Sequence, residues 1–380
     1  MMTSFSSEAI RGDDIDKVLL KWEPKAWRIN RRIFARPETG HNERLASSLW
    51  ASLLEEGGFN VQMPFQGMET SFFAVMGSGP QKYVLLVEYD ALPDIGHGCG
   101  HNLSGAMSVL AALALGDLPG IEGEVRVIGT PAEESGGSKV ILAESGFMDD
   151  VDLAAMIHCG NATAVPFRSL AIDAQRFTFE GGEASDALMF FLHCLDMIRD
   201  DLPEGVSIHG IVRHDKGAGV DLYIRAPERD LLERIAGRVK RCAEGASKAT
   251  GSFLGHDRFE PSFENMLPND SAENLLERLF MLEGERPSAE VGYGGSSDIG
   301  NISHRCPAVH PFLSITEKPV ALHSREFALA TVTPLARKKL LSGARVLARL
   351  GGKVLGDPQF RDSLRSSFDR SKKKAGVKKC

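Results

Sequence analysis

Cysteine is sparse in this chain, with six residues spread over 380 and no regular spacing between them. That excludes a disulfide framework and favours a reducing compartment, so the sequence predicts a cytoplasmic protein. Long apolar runs are missing as well. None approaches the ~20 residues that a membrane-spanning helix needs, and the polar stretch Met1–Asp14 lacks the charged-then-apolar layout of a secretory signal. Nor is there an excess of positive charge. The 44 Lys and Arg stand against 51 Asp and Glu, a formal net charge of −7, which argues against a general nucleic-acid or anionic-membrane binder. What these absences leave is a globular protein, long enough for two or three domain-sized units around a substantial core. They name no function.

What is present is a change of period along the chain. From Asp13 to Ala35 apolar residues recur at helical spacing, interrupted by Pro24, and Pro37-Glu38-Thr39-Gly40 ends the run. Asn42 is then placed to cap a second helix through Leu45, Leu49 and Leu53 to Gly57-Gly58. Short apolar runs follow at Phe72–Met76, Val84–Val87, Val125–Ile128 and Leu153–Ile157, with helical stretches near Leu103–Leu115 and Gly137–Ala143. Strands alternating with helices predict an α/β layer whose mostly parallel sheet is covered on both faces. After Pro166 the order becomes strand, helix, two strands and a long helix, from Leu170 to Ala249. That order suits a small α+β insert with helices on one side of an antiparallel sheet. The chain therefore reads as a discontinuous main domain, 1–168 and 262–356, with an inserted domain at 169–261 and a polar basic tail at 357–380. The tail, with Lys372-Lys373-Lys374 and Lys378-Lys379, reads as a solvated, frayed terminus rather than a tether.

Chemistry-bearing residues fall at strand ends, where ligands gather in open α/β sheets. Glu88-Tyr89-Asp90-Ala91-Leu92-Pro93 leads into His97-Gly98-Cys99-Gly100-His101-Asn102. The glycines let the backbone turn tightly enough to bring thiolate and imidazole onto one point, although a Gly-rich turn with an incidental Cys and His has the same letters. The next strand ends in Pro131-Ala132-Glu133-Glu134. Two adjacent carboxylates repel each other when buried, and a cation resolves the conflict: one ligates it while the other accepts a proton from bound water. The strand Leu153–Ile157 ends in His158. Later come Gly294-Gly295-Ser296-Ser297-Asp298, His304, His310 and His323, and any of the three imidazoles suits the last place in such a site. A Cys99 nucleophile with His101 as its base is a second reading, and the neighbouring glutamates favour metal ligation over it.

Together, in order, these segments and His323-Ser324-Arg325-Glu326 resemble the metal-dependent amidohydrolases of peptidase family M-20. The branch most similar contains p-aminobenzoyl-glutamate and indoleacetyl-amino-acid hydrolases. The resemblance runs from Arg36-Pro37-Glu38 to Phe327. It implies a Zn-peptidase-like α/β domain, its mixed sheet flanked by helices, with an inserted α+β lid that commonly dimerises, hence a homo-oligomer. It implies that Cys99, His101, Glu134, His158 and His323 bind one or two divalent transition ions, Mn or Zn. Glu133 is then the general base, and Asp90 orients a ligand from behind. The implied reaction is hydrolysis of a C–N bond in a small carboxylated substrate. That bond is an amide, or the amino group of an activated aromatic acid such as 5-nitroanthranilate. The inserted domain departs from the family: Gly181-Gly182-Glu183-Ala184-Ser185-Asp186-Ala187 carries no His where relatives have one, and the lid looks trimmed. His193, His209 and His214 are the available substitutes, with a structural role favoured for His193 among Phe190, Phe191 and Leu195. The missing His keeps a second class in view, a catalytically weak metal-binding relative with a structural or partner-binding role.

Overall fold

The computed structural model describes residues 12–119, 122–213, 218–288 and 295–376, leaving His214, Gly294, Lys378 and Lys379 outside the described residues. Two compact units emerge, one within Met1–Phe167, Leu267–Gly292 and Ile302–Cys380, the other within Arg168–Met266 and Tyr293–Asn301. The larger unit begins with α1 (Gly12–Ala35), α2 (Arg44–Glu56), β1 (Asn60–Gln62), β2 (Phe73–Ser78), β3 (Lys82–Val87), α3 (His101–Gly116), β4 (Gly123–Gly129), α4 (Ser138–Glu144), β5 (Leu153–Ala155) and β6 (His158–Gly160). The smaller unit supplies β7 (Ala171–Glu180), α5 (Ala184–Arg199), β8 (Ser207–Arg213), β9 (Ala218–Ala226), α6 (Arg229–Thr250) and β10 (Phe253–Arg258). The chain continues with α7 (Asp270–Leu282), α8 (Ile299–Ser303), β11 (Ala308–Val309), β12 (Phe312–Ser314), α9 (Arg325–Ala330), α10 (Pro334–Gly356) and α11 (Pro358–Lys374).

The main sheet runs β1-β2-β4-β3-β5-β11. Its β3, β4, β5 and β11 pairings are parallel, while β1 and β2 add antiparallel edges, so the sheet is mixed. Strand β3 (KYVLLV) is buried over five of its six residues, as a central parallel strand must be. Helix α3 is apolar all round and buried from His101 to Leu115, which makes it the central helix of this unit. It lies close to the sheet at Gly105, where a Cβ would stand 2.4 Å from the Glu88 carbonyl oxygen and 3.0 Å from Val87 Cγ1. Helix α10 covers α3 with Gly343, where a Cβ would meet Met107 Sδ at 2.4 Å. Among the described residues no helix is long and apolar enough to cross a membrane.

Several local expectations change. Helix α1 runs through Pro24, which sits on its exposed side, instead of breaking there. The start of α2 is capped by Glu38, whose carboxylate accepts from Leu45 N (2.9 Å) and Ala46 N (3.0 Å), while Asn42 bonds the Gly40 carbonyl instead. The tail is not frayed over its described part. It forms α11 from Pro358, capped by Asp357 and packed through fully buried Leu364, with Ser367 and Ser371 bonding Asp270 N and the Pro268 carbonyl.

The smaller unit is a four-stranded antiparallel sheet, β10-β7-β9-β8, with α5 and α6 packed on it around Phe177, Phe179, Phe191 and Val239. It takes in a returning segment that the sequence reading placed in the second part of the main domain. Leu170 N donates to the Gly295 carbonyl (3.0 Å) and Glu264 N to Asn301 Oδ1 (3.0 Å), which ties that segment to this unit.

Candidate metal centre

Every expected donor lies in the larger unit. Glu88 and Asp90 leave the C-terminal end of β3, Glu133 and Glu134 follow β4, His158 opens β6, and His101 opens α3. Gly100 turns the chain into α3 with φ 80°, and a Cβ there would collide with Cys159 Cβ at 2.6 Å, so the Cys99-Gly100-His101 turn admits no side chain at its middle. His323 precedes α9 in a left-handed conformation (φ 59°), with its N–H donating to the Gly98 carbonyl at 3.0 Å. Ser324 caps α9 through Phe327 N at 3.1 Å, which holds His323 just outside the helix.

Within the larger unit, donor atoms of the described residues converge in three overlapping groups, each within 4.8 Å: Cys99, Glu134 and His323; His101, Glu133 and Glu134; Glu88, His101 and His158. All five expected ligands and the expected base are thus brought together. Asp90 stands behind them. Its Oδ1 accepts from His101 Nδ1 at 2.8 Å and its Oδ2 from Glu134 N at 3.0 Å. With Nδ1 committed to Asp90, the His101 Nε2 faces the cluster, buried and without a hydrogen bond, 3.4 Å from Glu88 Oε2. His158 likewise gives Nδ1 to the Cys159 carbonyl (2.8 Å), and its ring stands edge-on to His101 at 5.4 Å. A carboxylate or carbonyl on one imidazole nitrogen, with the other left for a cation, is the usual setting of metal-binding histidines.

Charge in the cluster is poorly balanced by the protein alone. Burial and the carboxylates of Glu134, Glu133 and Asp90 push the Cys99 thiol far above its ordinary pKa, and its Sγ–H is pressed against Glu134. These acidic surroundings, with no cationic side chain among the described residues that act on the thiol, favour a divalent cation beside Cys99 over its use as a free nucleophile. Burial works against a charged His101, yet Asp90 and Glu88 raise it well above the usual imidazole range. Soft thiol, imidazole and carboxylate donors around one point fit a divalent transition ion better than Ca or Mg.

The sequence assigns no role to three residues that the structure places at or behind the cluster, Glu88, Lys139 and Glu43. Glu88, fully buried, forms an ion pair with fully buried Lys139 (Oε1–Nζ 2.7 Å). Burial would raise its pKa, but Lys139 and then His101 hold it well below the usual carboxylate range. His310, one of three open candidates for the last ligand, stacks on His158 (5.3 Å), lies tilted against Phe167 (4.6 Å) and, like His304, joins none of the donor groups among the described residues. In the smaller unit His209 stacks on Tyr223, and His193 is exposed rather than packed, sharing the outer side of α5 with Phe190.

Glu43, the third of these, braces the turn that carries the paired glutamates. Its Oε1 accepts from Ala132 N (2.8 Å), itself at φ 56°, and its Oε2 from Thr70 Oγ1 (3.0 Å). Burial, and to a lesser degree repulsion from Asp90, raises its carboxyl from 4.5 to about 7. The folded state therefore holds a proton that the unfolded chain releases near pH 4.5. The resulting stability is present below that pH and is lost as pH rises through about 7. Glu43→Gln should flatten this decline, by on the order of 3 kcal/mol between pH 4.5 and 7.5. Denaturant unfolding across that range measures it, and parallel curves for the two proteins would refute the assignment.

Comparison with known proteins agrees with this arrangement. A sequence profile of peptidase family M20/M25/M40 matches residues 84–350. The Xaa-Arg dipeptidase of Mus musculus is 28% identical over 383 residues, covering 90% of this chain and 88% of that protein. A p-aminobenzoyl-glutamate hydrolase subunit of Escherichia coli (strain K12) is 30% identical over 287 residues, covering 64% of this chain and 60% of that protein. Among solved structures, the Bacillus subtilis YXEP protein, a dinuclear metal binding peptidase from the M20 family, superposes with a TM-score of 0.66 at 17% identity, over 88% of this chain and 99% of that one. The aminobenzoyl-glutamate utilization protein of Klebsiella pneumoniae gives 0.66 at 14% identity, over 90% and 99%.

Proposed function

The chain belongs to peptidase family M20/M25/M40 and is a hydrolase of C–N bonds, and from that premise we propose that it cleaves the amide bond of a small carboxylated substrate, an N-acyl amino acid or dipeptide, with the help of a divalent metal. The observation that carries this reading is the convergence of Cys99, Glu134 and His323 beside Glu133. Relatives named for dipeptides, aminobenzoyl-glutamate and indoleacetyl-amino acids all act on amides, which favours amide over arylamine cleavage.

In this proposal Cys99, His101, Glu134, His158 and His323 hold one or two ions, Mn or Zn. When bound, such an ion lowers the pKa of water and stabilises negative charge on the attacked carbonyl oxygen. Asp90 fixes the imidazole of His101 through Nδ1, so that Nε2 is the ligating atom. Glu133, beside the ligating Glu134, takes the proton of the attacking water on its carboxylate and returns it to the leaving nitrogen. The buried Glu88–Lys139 pair carries no net charge of its own and so leaves the ligand charges to the ion.

The test is metal analysis with a hydrolysis screen over N-acyl amino acids, Xaa-Arg dipeptides, aminobenzoyl-glutamate and nitroanthranilates. Amide hydrolysis that stops on chelation and returns with Mn or Zn is expected. Turnover of nitroanthranilate alone, or activity that survives chelation, would refute the proposal.

We also propose that the smaller unit pairs two copies of the chain. Met189 (65% exposed), Phe190 and Met197 line the outer side of α5, and β8, which exposes Ile211 (72%), is an edge strand with no neighbour on its outer side among the described residues. Light scattering should show a dimer for the native chain and a monomer for Met197→Glu with Ile211→Lys. A native monomer would end the proposal.

A further inference from the structure

The expected ligands are not all held alike. Cys99, His101, Glu134 and His158 are buried or half-buried, whereas His323 is exposed. It ends an arm, 317–323, in which every residue but Val320 is exposed, and no helix or strand includes it. Its own backbone is left-handed, a conformation that an imidazole side chain does not favour. Whatever fixes this arm therefore fixes the last donor.

The arm has two anchors. The parallel β6–β12 ladder pairs His158 with Phe312 and Gly160 with Ser314, and it ends as Ile315 N donates to the Gly160 carbonyl at 3.0 Å. Beyond that point the side chain of Asn161 takes over. Its Oδ1 accepts from Val320 N (2.9 Å) and Thr316 Oγ1 (3.0 Å), and its Nδ2 donates to the Val320 carbonyl. One amide thus pairs with both main-chain groups of Val320, as a neighbouring strand would, across the intervening 315–319. Ser314 closes the base of the loop by donating its hydroxyl to the Asn161 carbonyl (3.0 Å). The second anchor is the bond from His323 N to the Gly98 carbonyl. Asn161 stands three residues after His158, and Gly98 one residue before Cys99, so the arm is tied to the chain beside two other proposed ligands.

We propose that Asn161 is a positioning residue for the metal centre, which sets the reach of His323 toward Cys99 and Glu134 without itself meeting an ion. The inference rests on the reading of His323 as a ligand. An exposed arm that must be ordered when the ion arrives subtracts that ordering from the affinity, and an arm already clasped does not. Partners that orient a ligand from behind are worth roughly 10–100-fold in metal affinity. Loss of the Asn161 side chain leaves the Gly98 bond in place, so the arm stays attached but swings on one anchor. His101 and His158, seated at the starts of α3 and β6, do not depend on the clasp. An ion shared by Cys99, Glu134 and His323 is then the exchangeable one.

The experiment is calorimetric titration of the metal-stripped full chain with zinc, in the native protein, Asn161→Ala, His323→Ala and the double variant. Asn161→Ala should weaken a zinc-binding event about tenfold or more. The double variant should bind no more weakly than His323→Ala alone, because a residue that acts through the imidazole has nothing left to act on. Additive losses would make Asn161 a general support of the fold and overturn the proposal, as would native affinity in Asn161→Ala. Thr316→Val removes one bond of the clasp and leaves the amide in place. It should show a smaller loss with the same dependence on His323, and it decides the question if Asn161→Ala does not fold. Native affinity in His323→Ala, or no zinc binding by the native chain, would refute the ligand reading and this proposal with it. A weakened His323→Ala beside an unaffected Asn161→Ala refutes the proposal alone. Because the titration reads no turnover, its outcome is independent of the proposed amide hydrolysis.

Discussion

Glu133→Gln is expected to lower kcat by roughly 10²–10⁴-fold, the usual contribution of a positioned general base, while metal content stays at the native level. The amide is isosteric with the carboxylate and keeps its oxygen, but it takes up no proton. The backbone beside it is fixed independently, since Asp90 holds Glu134 N and Glu43 holds Ala132 N. The substitution therefore removes proton transfer without moving the turn. Steady-state kinetics with metal analysis on the same preparation reads both quantities. A variant that loses metal along with activity would make Glu133 a ligand instead of the base. One that keeps more than a tenth of its activity would remove it from the chemistry.

The largest stability effect should come from Lys139→Met. Both members of the Glu88–Lys139 pair are fully buried, so removing the cation strands a carboxylate in the core beside His101. Breaking such a pair costs about 3–5 kcal/mol, whereas replacing both partners by neutral groups costs much less. Melting of Lys139→Met should fall by on the order of 10 °C. The double variant, Glu88→Gln with Lys139→Met, should recover most of that loss. A double-mutant cycle gives the coupling directly, and additive losses in the two single variants would show that the pair is not energetically linked.

The sequence made the scaffold legible where a single physical rule dominates. Buried parallel strands are apolar throughout, so Val84–Val87 and Val125–Ile128 fell inside β3 and β4. Edge strands obey no such rule, and β10 (FLGHDR), largely exposed, escaped notice. The acidic and Cys/His segments were legible because each follows an apolar run. His323 was singled out by the family resemblance alone, since its approach to Cys99 is a matter of a left-handed turn 224 positions downstream and not of local pattern. Lys139 was invisible for a related reason. A lysine in a short helix looks solvated until the fold encloses it. Composition also misjudged the last helix, where one buried leucine, Leu364, and two serine hydroxyls hold a segment that otherwise reads as polar.

The missing side chain at Gly105 has a consequence for how this centre is built. Gly105 is one turn beyond His101 on the same face of α3, resting on the Glu88 carbonyl. The separation between imidazole and strand-end carboxylate is therefore a tolerance set by the thickness of the packed backbone. It is fixed by an atom that is not there, at a position that carries no functional group. An inventory of reactive side chains would pass over it, although every donor it spaces depends on it.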